Sequence, residues 1–259
     1  RQDITNKKPK DGNDDITIEY INNENDFQEV TFDFLEPDDK FYLTLKQLLR
    51  KTFCFVNWNF DSVLQMICNQ KDFGIFLGVE DDETPEENII YAVLTILNLQ
   101  RLQNIGFLPQ LRDFLLSRCD EQAVQFLNNS VFSDCASNGL LVNERVLNLP
   151  YVVVPCIFQQ LMEDKRFFEE EAEATDEEKA EFMFKFLLYF TVGVYKTEDG
   201  AVKDNGLSGL VFSKAEDEKF MQKALVVQKI ALPVTEEYAL VFMVLKYDDF
   251  INFAHKCVA

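Results

Sequence analysis

The run Phe182–Tyr195 constrains this chain most. Phe182, Phe184, Phe186, Leu188, Phe190, Val192 and Val194 fall on one face of a period-two pattern. Met183, Lys185, Leu187, Tyr189, Thr191 and Tyr195 fall on the other. A helix at 3.6 residues per turn would mix the two sets, so the run predicts one long strand. At 14 residues, with Lys185 inside, it is also too short for a transmembrane helix. Ala224–Leu232 and Tyr238–Lys246 read as strands too. Asp199-Gly200 and Asn205-Gly206 supply turn signals after the long run. The three strands are expected in one sheet.

Upstream, Ile16–Tyr20 and Val30–Leu35 alternate as strands. Phe73–Val79 is a further strand, and Ile89–Leu99 is so continuously apolar that it is expected to be central. Helices are predicted over Lys40–Phe53, Asp61–Cys68, Leu108–Cys119, Glu121–Asn128, Val154–Phe168, Asp176–Lys179, Lys214–Met221 and Asp248–Cys257. Short strands are predicted at Leu140–Val142 and Leu210–Phe212. No repeat of 20–50 residues occurs. The fold class is therefore α/β, a single domain over residues 14–259 with a mixed, partly antiparallel sheet flanked by helices. Arg1–Asn13 is expected to be a disordered polar tail; its Lys7-Lys8-Pro9-Lys10 is a weak nuclear-import pattern. The sequence opens on Arg1, so a preceding targeting segment or acidic tail stays open.

Charge is unevenly distributed. The net charge is −20 at pH 7. Asp11–Asp39 holds 11 acids and no Lys or Arg, Glu80–Glu87 holds 6 acids and no base, and Glu163–Glu181 holds 10 acids and 3 bases. The remainder of the chain is slightly positive. Such acidic segments repel nucleic acid and anionic membranes and attract basic partners. No basic stripe interleaved with aromatics is present, so neither direct nucleic-acid binding nor a membrane role is expected. The 25 Phe residues and 47% hydrophobic content exclude a disordered chain. Trp58 is expected at a core edge.

Chemistry is sparse. His255 is the one histidine, and no triad partner lies near it in sequence. The six cysteines form no C-x-x-C pair and suit a reducing compartment. The acid pairs Asp14-Asp15, Asp38-Asp39 and Asp81-Asp82 lack calcium-loop spacing. Walker A, H-E-x-x-H and G-x-S-x-G motifs are all missing. No catalytic residue, metal site or cofactor is expected.

The stretch Leu140–Leu161 reads LLVNERVLNLPYVVVPCIFQQL, a short strand leading through a glycine-free turn to a helix near Tyr151. It closely resembles the signature S-E-R-x-x-N-x-P-P…QQL of the BCCIP family, acidic nuclear adaptors related to yeast Bcp-one. Asn88–Leu99 (NIIYAVLTILNL) looks like the family's FGFISLLNL strand. Leu210–Ala224 (LVFSKAEDEKFMQKA) looks like its LMFANAEEEFFYEKA. The likeness covers roughly Val30–Val258.

The resemblance implies a fold like that of the GCN5-type N-acetyltransferases. Active members of that fold seat the pyrophosphate of acetyl-CoA on a glycine-rich loop. The corresponding place here, Glu144–Pro150, has no glycine, offers a carboxylate and ends in a residue without an N–H. A lost cofactor site is therefore expected. Glu144 and Arg145 are expected either as a buried or half-buried pair, with Asn148 capping the next helix, or as a partner contact at the strand end.

The resemblance further implies a non-enzymatic adaptor and chaperone. Its client would be a basic large-subunit ribosomal protein of the universal L-fourteen type. It would act in ribosome biogenesis and nuclear export, reside in the nucleus while shuttling with the cytoplasm, have links to cell-cycle and recombination proteins, and be a monomer. The candidate partner-binding residues are Glu144, Arg145, Asn148, Asp38, Asp39, Glu169, Glu170, Glu171 and Glu173. An acyltransferase with an atypical CoA site and a generic cell-cycle or DNA-repair scaffold are the rival readings.

Overall fold

The structure, a computed structural model, describes residues 5–6, 16–22, 26–53, 58–70, 73–79, 89–170, 174–195, 197–198, 201–202, 206–232 and 237–258. Among these residues the chain runs β1 (Thr5–Asn6), β2 (Ile16–Asn22), β3 (Asp26–Leu35), α1 (Tyr42–Phe53), α2 (Asp61–Cys68), β4 (Gly74–Val79) and β5 (Ile89–Asn98). It continues through α3 (Leu99–Asn104), α4 (Phe107–Arg118), α5 (Glu121–Phe126), β6 (Asn138–Arg145), α6 (Val154–Glu170), α7 (Asp176–Ala180) and β7 (Phe186–Tyr195). It ends with β8 (Thr197–Glu198), β9 (Ala201–Val202), β10 (Leu210–Phe212), α8 (Ala215–Lys223), β11 (Val226–Ala231), β12 (Tyr238–Lys246) and α9 (Tyr247–Val258).

Ten of these strands form one sheet in the order β1-β2-β3-β4-β5-β6-β7-β12-β11, with β10 paired to β7 off that path, while β8 and β9 pair with each other as a separate antiparallel ribbon. Every neighbouring pair is antiparallel except β6 and β7, which run parallel. The sheet is therefore mixed, as the order of strands and helices implied; of the turn signals, Asp199, Gly200 and Asn205 lie outside the described residues. Two apolar layers cover it. On one face Leu45, Leu49 and Phe53 of α1 and Val63 and Ile67 of α2 meet Leu188, Phe190 and Val192 of β7. On the other, Ile157, Phe158 and Leu161 of α6, Phe220 of α8 and Phe250 of α9 meet Leu187 and Tyr189 of the same strand. β7 is buried on both sides, which its period-two run of large side chains required.

The strand begins later than its sequence pattern. Phe182 and Met183 donate backbone N–H groups to Lys179 and Ala180 in a turn after α7, and the ladder starts at Phe186. Strand alternation does not govern a turn. Phe184 accordingly packs in the α6 layer, and Phe182 packs against that layer, while Phe186 packs against the opposite one. β6 is longer than expected, since Asn143, Glu144 and Arg145 continue the ladder to β5. Helix α3 was unforeseen. It starts where Asn98 turns the chain and accepts the Gln100 N–H at 2.8 Å. Within the stretch expected to be a tail, Thr5–Asn6 pairs with β2; the remainder of Arg1–Asn13 lies outside the described residues.

Phe190 anchors the first layer. Its ring lies 5.1 Å from Phe242, 6.0 Å from Phe53 and 6.3 Å from Trp58 by centroid. Truncating a buried phenylalanine loses transfer energy and leaves a cavity, about 3–5 kcal/mol. We expect Phe190→Ala to lower unfolding stability by that amount in urea titration. A loss below about 1 kcal/mol would contradict this packing.

Candidate functional site: charged residues between two parting strands

The parallel ladder between β6 and β7 lasts four residues, from Asn138↔Phe186 to Leu141↔Tyr189. Beyond it the strands go separate ways. β6 follows β5 to Ala92↔Arg145, and β7 follows β12 to Val194↔Tyr238. The edge of β7 given up by β6 is taken by β10, through Leu210↔Tyr195, Val211↔Val194 and Phe212↔Gly193. Gly193 permits this approach, because a Cβ there would lie 3.0–3.3 Å from the Leu210 side chain. The carboxyl ends of parallel strands that part are where open α/β sheets place ligands. Here the segment from β10 into α8 fills that gap.

Lys214 is its centre. It is 3% exposed. Its Nζ donates to the Asn143 carbonyl at 2.6 Å and to Glu144 Oε1 at 2.9 Å, and it lies 5.4 Å from the Tyr189 ring centroid. Glu144 Oε1 also accepts from Thr52 Oγ1 of α1 at 2.6 Å. The Lys214–Glu144–Thr52 chain thus joins the α8 side of the sheet to the α1 side. Beside it, Arg145 clasps Glu216 with both terminal nitrogens, Nη2 to Oε2 at 2.9 Å, and Asn143 Nδ2 donates to Glu216 Oε1 at 3.1 Å. Asp217 accepts from Tyr189 Oη at 2.5 Å and from Thr191 Oγ1 at 2.6 Å.

Two cations and three carboxyl groups share this enclosed space, and their protonation follows from their neighbours. Burial pulls the Lys214 ammonium pKa down, but Asp217, Glu144 and Glu216 outweigh it and hold it above its ordinary value. Burial pushes Glu216 up, but the Arg145 fork and the Asn143 amide hold it below the usual carboxylate range. Asp217 goes the other way. Burial raises it to about 6, against the lowering effect of Lys214, Thr191 and Tyr189. Burial and the nearby acids also push the Tyr189 phenol well up.

These groups satisfy one another. The gap presents carboxylates where a pyrophosphate needs aligned N–H donors, and its ammonium is engaged by a carbonyl and a carboxylate. The arrangement holds strands together and is poorly suited to seating an anionic cofactor. Burial also disfavours the thiolate at Cys68, raised to about 12, and at Cys119, raised to about 11. Among the described residues no group of His, Cys, Asp and Glu could hold a metal, and no helix is long and apolar enough to cross a membrane.

The residues singled out from sequence fall in three places. Glu144 and Arg145 belong to β6 rather than to a turn, and they do not pair with each other. Successive strand residues point to opposite faces, so Glu144 meets Lys214 and Thr52 while Arg145 meets Glu216. Asn148 is exposed and does not cap the next helix; Pro150 occupies the cap position of the 3₁₀ turn Tyr151–Val153, with no side-chain cap bond. Asp38 caps a separate turn by accepting the Lys40 N–H at 2.8 Å, with exposed Asp39 following it. Glu169 and Glu170 are exposed at the end of α6, Glu169 paired with Lys165. Glu171 and Glu173 lie outside the described residues.

Sequence reading missed Lys214, Glu216, Asp217, Tyr189, Thr191 and Thr52 as members of one cluster. The available signal was Thr191, a hydroxyl beside Tyr189 on a face of a strand otherwise predicted to be buried, together with the charged run Lys214-Ala215-Glu216-Asp217 at the start of a predicted helix.

A profile of the BCCIP family matches residues 28–232, and the chain belongs to the BCCIP family. It is 26% identical over 222 residues to the BCCIP homolog of Arabidopsis thaliana, covering 83% of this chain and 67% of that one. It is 25% identical over 207 residues to the BRCA2 and CDKN1A-interacting protein of Mus musculus, covering 76% and 64%. The crystal structure of BCP1 from Saccharomyces cerevisiae superposes with a TM-score of 0.63 at 15% identity, covering 88% of this chain and 87% of that one, so the two share a fold. A more distant likeness, with a TM-score of 0.37 at 8% identity, is to an N-acetyltransferase.

Two tests follow from the buried charges. Lys214→Met leaves Glu144 buried without its cation, which costs about 3–5 kcal/mol. Adding Glu144→Gln removes the orphaned charge, so the double variant should recover part of the loss in urea unfolding. Strict additivity would show that the two side chains are not coupled.

The second test uses pH. Asp217 titrates higher in the folded chain than in the unfolded one, so the folded state favours its protonated form. Its contribution is full below the ordinary carboxylate value near 4 and is lost as pH rises through about 6. Two pKa units correspond to roughly 3 kcal/mol. The stability difference between wild type and Asp217→Asn should therefore shift against wild type between about pH 4 and 7. A difference that stays flat across this window would contradict the assignment.

Proposed function

We propose that this chain is a non-enzymatic acidic adaptor and chaperone that holds a basic client, a large-subunit ribosomal protein, until nucleic acid displaces it. The carrying observation is the gap between β6 and β7. The place where an open sheet would receive a ligand is filled by Lys214, Glu144, Arg145, Glu216 and Asp217, bonded to one another and to their neighbours. The unspent charge lies outside. Glu163, Glu170, Asp176, Glu177 and Glu181 are exposed on α6, α7 and the turn after it. A free ribosomal protein exposes dense Lys and Arg, and an acidic surface competes with RNA for them. The interaction name borne by the mouse relative supports a protein-binding role of this kind. Nuclear residence with shuttling, action in ribosome biogenesis and export, and a monomeric state belong to the same proposal.

Affinity capture from a native lysate, with ribosomal proteins scored, tests the client. Recovery should fall steeply between low and physiological salt, where exposed charges are screened beyond roughly 8–10 Å. Capture that ignores salt, or that returns no basic protein, would refute the reading. The acyltransferase rival predicts a thermal shift with millimolar acetyl-CoA; this proposal expects none.

A further inference from the structure

The acidic surface carries two large apolar side chains that the core does not use. Phe167 on α6 is 55% exposed, and Met183 in the turn before β7 is 68% exposed. Their sequence neighbours tie the two segments together. The buried Phe168 ring stands edge-on to Phe182 with centroids 4.8 Å apart, and Lys179 of α7 donates to the Glu169 carbonyl at 3.0 Å. Phe167 and Met183 are thus carried by adjoining segments on a rigid aromatic base.

Charge gives their surroundings a sign. Glu163 and Glu170 sit one helical turn before and after Phe167, and Glu181 lies two residues before Met183. All three are exposed. The nearby bases are committed: Lys165 to Glu169, Lys179 to the Glu169 carbonyl, Lys185 to Asp134 at 2.8 Å, and Arg166, the exposed neighbour of Phe167, to a contact of its own. An exposed aromatic and a methionine rimmed by acids is the anatomy of an interface with an apolar centre and a polar rim. Methionine adapts to varied apolar surfaces.

We propose that Phe167 and Met183 are the apolar anchors of a docking surface for a basic amphipathic segment, one carrying Lys or Arg along one side and aliphatic side chains along the other. This rests on the acidic-chaperone reading above and adds that the client is selected by apolar contact as well as by charge. Acids alone would capture any polycation. The anchors restrict capture to segments that also expose apolar surface, as an unassembled protein does.

The test compares two synthetic peptides of equal length and positive charge, one amphipathic with leucines along one side and one with those leucines replaced by serine and glycine. Binding is measured by calorimetry at low and physiological salt. Wild type should bind the amphipathic peptide about tenfold more tightly, the scale of burying one or two partly exposed apolar side chains. Phe167→Ser with Met183→Ser should abolish that preference and leave the apolar-free affinity and its salt dependence unchanged. Glu170→Lys with Glu181→Lys should weaken both peptides.

Equal affinity of wild type for the two peptides, or a preference that survives the double serine variant, overturns the anchors and leaves the charge reading standing. Binding of neither peptide at low salt overturns the charge reading itself. Amide exchange on wild type is a check that requires no variant. Slowed exchange in α6 and α7 on saturation with the amphipathic peptide supports the surface, and slowing confined elsewhere refutes it.

Discussion

The rest of the molecule depends on one ammonium group. Where β6 and β7 part, the Asn143 carbonyl faces a region with no adjoining β7 ladder, and a buried carbonyl without a donor costs on the order of 1–3 kcal/mol. Lys214 Nζ supplies that donor and brings a charge with it. Glu144 answers the charge from the same strand, and Thr52 fixes the carboxylate from the far layer. An apolar residue of similar size could fill the space but could not bond the carbonyl. The polar cluster is thus tied to the topology: parallel strands that separate inside a covered sheet need a donor between them.

The same geometry explains the position of β10. Three residues suffice because β10 has only to complete the upper edge of β7, and Gly193 lets it come close. From there the chain turns directly into α8, whose first residues include Glu216 and Asp217. Acidic residues in the first turn suit a helix N-terminus. Here they also meet Arg145, Tyr189 and Thr191 across the gap. One short segment therefore closes the strand edge, starts the helix and pairs with Arg145.

Much of this architecture could be read from sequence because it rests on local repetition. The alternating residues of Phe186–Tyr195 and Tyr238–Lys246 specify strands buried on two sides, and both were predicted with the correct type. Failures came where a local pattern continued past its element. Phe182 and Phe184 kept the period of two, yet both precede the ladder, Phe182 in the turn after α7 and Phe184 in the irregular stretch that follows it. Asn143, Glu144 and Arg145 looked like loop residues because they are polar, but each has a polar partner inside the fold. The site itself was only half legible. Glu144 and Arg145 were visible as unusual charges beside an apolar strand. Their partners lie about 70 residues away, with separations of 70 for Lys214 and 71 for Glu216, and no spacing rule links such pairs.

Interior and surface charges answer to different variables. The inner cluster is enclosed by two apolar layers, so dissolved ions scarcely reach it, and its weak point is Asp217, whose raised pKa ties it to pH. The outer acids are exposed on α6 and α7, so salt screens them. A rise in ionic strength therefore weakens the pull of the outer acids on any basic partner without loosening the sheet. The proposed chaperone function would need this separation, because a surface that gives up its client to a competing polyanion must weaken while the scaffold that presents it stays folded.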